Sequence, residues 1–215
     1  MLCAEDLAEF CIDVLDAAYV GITADAPVWQ AVYHDYTQVF GGVHWMEEGQ
    51  IPLSRQWLYG RISQIPGSLG FPNAKPETME WYRDLLRCTH EFARPYLGYG
   101  EMLRPPEISG DIPMLTMEAA DGPFKAPAVE GTAWRTPDGS VGIFFINYED
   151  QARQFTWKTD LGEIAGLDAE KRLQITEWTA GNGAKPLKQT EGGIVGDTVE
   201  IPPHGMIALK FERIP

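Results

Sequence analysis

Apolar positions along this chain change period about halfway, and the two periods predict two kinds of structure. Leu7, Phe10, Cys11, Val14, Leu15 and Ala18 recur at the spacing of one helix face, with Gly21 as a stop. The apolar run Val28-Trp29-Gln30-Ala31-Val32-Tyr33, behind Pro27, reads as a strand buried on both faces. A second helix is predicted from Leu53 to Ile62, and a short extended segment from Ile65 to Gly70. The strongest helix runs from Pro76 to Leu97. Pro76 suits a first turn, Glu77 and Glu80 lie toward the positive end of the dipole, and Arg87 and Arg94 toward the negative end. Met79, Tyr82, Leu85, Leu86, Thr89, Phe92 and Tyr96 give it one apolar face.

Beyond Arg104-Pro105-Pro106 the period becomes two. Val141 to Asn147 follows the turn Pro137-Asp138-Gly139-Ser140, and Phe155–Lys158, Leu173–Trp178 and Thr198–Ile201 alternate apolar with polar residues. Met206 to Phe211 closes the series. Turn signals at Asp121-Gly122, Gly181-Asn182-Gly183 and Gly192-Gly193 separate these runs, as in an antiparallel β-sandwich. The chain therefore divides into residues 1–104, in the βα rhythm of a parallel sheet, and residues 105–215, an all-β sandwich. Two parallel strands and three helices cannot cover their own apolar faces, so this reading expects further strands from outside the chain.

Composition narrows the function classes. Apolar residues make up 44% and charged residues 22% of the 215, ordinary for a folded protein. The net charge of −14 argues against nucleic acid, whose phosphates need clustered Lys and Arg. No basic amphipathic stretch suits a membrane surface, and no apolar run is long enough to span one. Met1 to Asp6 lacks the features of a secretion signal, so the chain as written is expected in the cytoplasm, while a full-length parent could be exported. Cys3, Cys11 and Cys88 form no CxxC or Cys/His pattern and read as small buried residues. Neither a metal nor a cofactor is expected: His34 and His44 lack accompanying ligands, and there is no P-loop, dinucleotide fingerprint or GxSxG elbow.

Pro27 to Gly41 resembles the late-barrel segment of a family of large bacterial glycoside-hydrolase-like proteins of unknown function. The resemblance continues through Tyr99 to Pro106, Gly110 to Pro113 and Gly142 to Asn147. Glu5-Asp6-Leu7-Ala8-Glu9 is similar to the family's acidic turn, in which a second Glu follows four residues after the first; Ala4 and Asp6 depart from its pattern. The resemblance spans the whole chain but only the last third of such a protein. It implies the C-terminal part of a (β/α)8 barrel, about two βα units, followed by a sandwich, with carbohydrate as substrate. It also implies a partner: the missing barrel segment or another copy of the chain.

Most glycosidases use two carboxyl groups, one to protonate the leaving oxygen and one as nucleophile or base. In barrels these sit at the C-terminal ends of strands. The resemblance puts Glu5 past such an end, and the Val28–Tyr33 strand puts Asp35 and His34 past another. Glu5 and Asp35 are the candidate catalytic pair. Tyr33, His34, Trp45 and Glu9 are candidate sugar contacts, Trp45 as a stacking platform. Each has a plainer reading: Glu5 and Glu9 favour a helix N-terminus, and His34 fits a packed loop histidine. Trp29 reads as core, Trp57, Tyr59, Trp81 and Tyr82 as helix residues against a barrel wall, and Trp134, Trp157 and Trp178 as core or interface. The leading expectation is a glycoside-hydrolase-like piece, inactive alone; the alternatives are a non-catalytic carbohydrate-binding or structural sandwich module, and a nonfunctional piece that aggregates.

Overall fold

The computed structural model describes residues 3–4, 17–19, 28–34, 36–43, 50–64, 76–117 and 123–214. Four short strands, β1 (Cys3–Ala4), β2 (Ala17–Tyr19), β3 (Gln38–Val43) and β4 (Ile62–Gln64), form a parallel sheet in chain order. Cys3 pairs with Ala17, Ala18 with Val39 and Phe40 with Ile62. Helices α1 (Val28–Tyr33) and α2 (Gln50–Leu58) lie between successive strands.

This corrects the sequence reading in three places. Val28–Tyr33 is a helix, not a strand; a short apolar run cannot be told from a helix by periodicity alone. Its buried positions are Gln30 and His34, one helical turn apart, while Ala31 and Val32 are exposed. Parallel strands number four rather than two, because β3 was hidden by Gly41-Gly42 and β4 is three residues long. Ala18, assigned to the first helix, lies in β2. The rest of that helix and the extended segment at 65–70 lie outside the described residues.

The long helix follows the expected bounds: α3 (Pro76–Cys88), a π-helical turn (Thr89–Ala93) and α4 (Arg94–Leu97) are continuous. Pro95 explains the wide turn. It has no N–H for the Glu91 carbonyl and its ring crowds that residue, and the helix relaxes into an i→i−5 bond from Arg94 N to Thr89 O. Trp81, Leu85, Cys88, Phe92, Ala93, Tyr96 and Leu97 are buried, whereas Leu86 is half exposed.

The remaining strands are β5 (Glu101–Leu103), β6 (Glu107–Ser109), β7 (Met114–Met117), β8 (Phe124–Pro127), β9 (Val129–Arg135), β10 (Val141–Asn147), β11 (Arg153–Asp160), β12 (Arg172–Thr179), β13 (Gly183–Glu191), β14 (Ile194–Ile201) and β15 (Met206–Arg213), with α5 (Leu161–Ala165) after β11. A six-stranded antiparallel sheet, β13-β12-β15-β10-β9-β5, faces a three-stranded one, β14-β11-β6, and β7 and β8 form a hairpin. The tight turn into β10 places Gly139 at φ +84°, a conformation glycine adopts without strain.

Two cores share the six-stranded sheet. On one face Val141, Ile143, Phe145, Leu173 and Phe211 meet Phe155 and Trp157 of the smaller sheet. The Phe145 ring lies 5.3 Å from Phe155 and 5.5 Å from Trp157. On the other face Trp134, Phe144, Ile146, Trp178 and Ala208 meet Trp57, Leu85, Phe92 and Tyr96 from the helices. Phe144 stands edge-on to Trp57 at 5.8 Å and to Tyr96 at 5.7 Å. The sheet is thus the middle of three layers. That is why every residue of β10 is buried and its sequence is apolar throughout rather than alternating.

Candidate functional site

The four parallel strands run the same way, so one edge of their sheet gathers all their C-terminal ends: Ala4, Tyr19, Val43 and Gln64. In βα folds ligands bind at that edge, where loops and not helices follow the strands. Glu5 is the next residue in the chain after β1, and Trp45 follows β3 by two. Asp35 precedes β3 by three residues in sequence, so the strand-end argument that selected it does not hold. Glu5, Glu9, Asp35 and Trp45 lie outside the described residues.

Tyr33 and His34 end α1. The Tyr33 carbonyl accepts from Tyr36 N and Thr37 N, both at 3.0 Å, closing the turn. His34 is 2% exposed. Its Nδ1 lies 2.9 Å from the carbonyl of Gly100 and its Nε2 3.1 Å from that of Gly60. The ring stands edge-on to Trp134, 4.7 Å between centroids. A neutral imidazole has one N–H, so the tautomer decides which carbonyl receives it. In each tautomer His34 ties the end of α1 by a hydrogen bond to one of two turns, the one after α2 or the one after α4, while its ring packs against the other.

A polar cluster with no counterpart in the sequence reading lies where the helices meet the sandwich. Glu130 in β9 accepts from Arg55 Nε at 2.9 Å and Arg55 Nη2 at 3.1 Å, a fork-to-fork ion pair. Tyr59 Oη donates to it at 3.2 Å and Tyr148 Oη at 2.7 Å. The Arg55 and Glu130 side chains are 13% and 12% exposed. Arg55 also lies 5.2 Å from the Tyr59 ring and 5.0 Å from that of Phe124. The cluster borders a cavity of about 650 Å³ walled by Tyr59, Met102, Pro105, Pro106, Ile108 and Glu130.

The cluster's chemistry is that of a fastener. Both carboxylate oxygens of Glu130 already accept two hydrogen bonds each, which leaves no lone pair to take a proton from a substrate. Burial works against the Arg55 charge, and the hydrogen bonds and charge of Glu130 outweigh it, raising its pKa. Burial first, and then the Glu130 charge, push Tyr59 up to about 12 and raise Tyr148 well above its ordinary value. Burial raises Tyr96 as well. A raised phenol pKa means the fold favours the protonated form. This contribution to stability is therefore whole below the ordinary value of about 10 and is lost as pH climbs through about 12. Absorbance titration at 295 nm should show Tyr59, Tyr82, Tyr96 and Tyr148, four of the eight tyrosines, ionising above the ordinary phenol range, together with loss of the folded circular-dichroism signal. Eight phenols titrating together near 10 in a still-folded chain would contradict the cluster.

Trp134, Trp157 and Trp178 are 0%, 3% and 0% exposed, so they are core and interface residues and present no face to a sugar. Trp178 Nε1 donates to Glu91 at 3.1 Å across the helix–sheet interface. Among the described residues no three His, Cys, Asp or Glu side chains gather as a metal site. No described helix is long and apolar enough to cross a membrane.

No protein-family model matches the chain, and no curated protein matches it by sequence. Solved structures do match its shape. An endoxylanase of glycoside hydrolase family 30 from Clostridium papyrosolvens C71 covers 94% of this chain with 50% of its own, at 10% identity and a TM-score of 0.51. The α-galactosidase I of Mortierella vinacea covers 94% with 54% of its own, at 10% identity and a TM-score of 0.49. A family 27 β-L-arabinopyranosidase from Geobacillus stearothermophilus covers 79% with 31% of its own, at 8% identity and 0.38. The chain spans between about a third and a half of the length of such structures. At these identities the likeness speaks to fold alone, and it is the endoxylanase that carries it: the chain has a fold like that of about half of this endoxylanase.

Proposed function

We propose that this chain acts on carbohydrate as the C-terminal part of a glycoside-hydrolase-like protein, in which β1–β4 form one side of a (β/α)8 barrel. The observation that supports this most is topological. Parallel strands in strict chain order, with α1 between β2 and β3, α2 between β3 and β4, and a sandwich seated against helices, match the endoxylanase, which covers 94% of the chain. Among the described residues β1 and β4 each have a strand neighbour on one side, and in this reading further strands, from a longer polypeptide or a second chain, complete the sheet. The barrel part then ends after α4, and the sandwich begins at β5, a few residues before the boundary at 104 that the sequence suggests, because Glu101–Leu103 pairs with β9.

Glu5 is the proposed catalytic carboxyl group, by its position directly after β1; Asp35, the other candidate, precedes the parallel strand β3 in the chain, so the second carboxyl group is expected from the strands that complete the barrel. Tyr33, Trp45 and Glu9 are the proposed sugar contacts. The burial of His34, between the carbonyls of Gly60 and Gly100 and edge-on to Trp134, favours a positioning role for it, holding the segment that leads into Asp35. The second reading, a structural or binding module without catalysis, draws on the sandwich's close seating against the helices.

Reducing-end release from xylan and from aryl glycosides tests the proposal. The isolated chain should give no turnover above blank, because half of a barrel leaves the site unfinished. In a chain that supplies the remaining strands, Glu5→Gln should remove at least about 99% of the rate, as loss of a group acting in the transition state does. Turnover by the isolated chain that Glu5→Gln abolishes would keep the site and sink the incomplete barrel. Turnover in the completed protein that is indifferent to Glu5→Gln would sink the site.

A further inference from the structure

The parallel sheet has two bare edges. Among the described residues β1 pairs only with β2 and β4 only with β3, and no strand of the sandwich pairs with either. Unpaired N–H and C=O groups along such edges template a further strand. The strands share one direction and follow chain order, so a β1 laid against β4 continues the series without a reversal.

The sheet is also stepped. Cys3, Ala17 and Gln38, the first residues of β1, β2 and β3, lie on one pairing line. β4 begins further along: its first residue, Ile62, lies opposite Phe40, which lies opposite Tyr19, and β1 has already ended at Ala4. In a (β/α)8 barrel each strand advances about one residue on the last, and this stagger lets the tilted strands close. In the barrel reading, β1 to β4, stepped in one sense and with helices after β2, β3 and β4, supply four of the eight strands.

Resting on that reading, we propose that a second copy of this chain supplies the other four. A two-fold axis along the barrel pairs β4 of each copy, in parallel, with β1 of the other. Such an interface satisfies itself twice over, and closure leaves neither edge bare. Each copy carries a net charge of −14, so the halves meet against like-charge repulsion and associate more tightly as salt rises. Association follows concentration, and the dilute chain of a turnover assay remains half a barrel.

Light scattering over a concentration series and a disulfide trap test this on the full chain. The mass of 24.0 kDa should double by about 50 μM, with a midpoint at least about threefold lower in about 500 mM salt than in about 50 mM. Neighbouring strands lie about 4.8 Å apart, within disulfide reach. One residue of stagger per strand brings Cys3 of the second copy level with Ser63 or Gln64. Successive residues of a strand face opposite ways, so one of Ser63→Cys and Gln64→Cys should give a covalent dimer on mild oxidation, at least about tenfold above the unsubstituted chain, and Cys3→Ser should abolish it. A chain that stays at 24.0 kDa at about 50 μM would overturn the pairing and leave the barrel to be completed within a longer polypeptide. A cross-link that survives Cys3→Ser, as β4 laid against β4 would give, or open-ended oligomers in place of a dimer, would overturn it as well. Neither readout depends on turnover, so a failed active site would leave the pairing standing.

Discussion

Trp134→Ala is expected to lower the unfolding free energy by about 3–5 kcal/mol, among the largest effects of any single apolar truncation in this chain. Trp134 is fully buried, on the helix side of β9. Its indole donates from Nε1 to Thr132 Oγ1 at 3.0 Å, and that hydroxyl donates to Leu58 O at 3.1 Å, so the residue links β9 to the end of α2. The same indole supports the edge of His34. Alanine would leave a ring-sized void at the crossing of three segments and remove a donor from a buried hydroxyl. Gly60 beside it has no slack to offer. A Cβ there would come within 2.6 Å of His34 Nε2 and 2.9 Å of Trp134, at a φ of +68°. Neighbours this tightly set cannot relax into the void, so the cost falls at the upper end of the range.

The same substitution tests the three-layer arrangement. With the six-stranded sheet shared between two cores, helices and sandwich should lose structure together, and Trp134→Ala should shift a single transition. Urea unfolding followed by far-ultraviolet circular dichroism and by tryptophan fluorescence should give coincident curves before and after the change. A loss below about 1 kcal/mol, or a sandwich transition left in place while the helical signal moves, would mean that the layers fold independently.

How much of this was legible in the sequence depends on how many faces each element buries. Strands β11, β12 and β14 alternate because water or a polar edge lies on one side, and β10 and β15 announce themselves by apolar residues between clear turns. The helix from Pro76 to Leu97 was legible through its length and charges, although Leu86 was placed on the wrong side. Strand β13, an edge strand with Lys185, Pro186 and Lys188 and almost wholly exposed, carries no apolar signal to read. Helix α1 failed for the opposite reason. Its buried residues, Gln30 and His34, are polar and held by partners from elsewhere in the chain, so hydrophobicity pointed to the face that stays exposed. The parallel sheet was legible as a rhythm but not as a count of strands, since strands of two or three residues lie below the resolution of any period. The Glu130 cluster was invisible because Arg55 and Glu130 lie 75 residues apart and neither sits in a motif. A glutamate inside a strand between apolar neighbours was the one available hint.

Glu130→Ala is expected to cost about 3–5 kcal/mol, because it removes the two-point ion pair from a buried guanidinium and the carboxylate that two phenols donate to. An exposed pair of the same geometry would cost about 1 kcal/mol or less. The low exposure of both partners, the two-point geometry and the tyrosine hydrogen bonds place this one in the costly class. Graded variants separate the contributions. Glu130→Gln keeps an acceptor oxygen for the phenols but loses the charge, so it should fall between wild type and alanine. Tyr148→Phe removes one hydrogen bond and should cost about 1 kcal/mol. The paired change Arg55→Met with Glu130→Leu removes both charges and refills the volume, so it should be less damaging than Glu130→Ala alone. Equilibrium urea unfolding of the four variants, closed into a cycle with Arg55→Met and Glu130→Leu as single changes, measures the coupling directly. Should the paired change prove as costly as the sum of its parts, the charges would not be interacting, and the seam between helices and sandwich would rest on its apolar contacts alone.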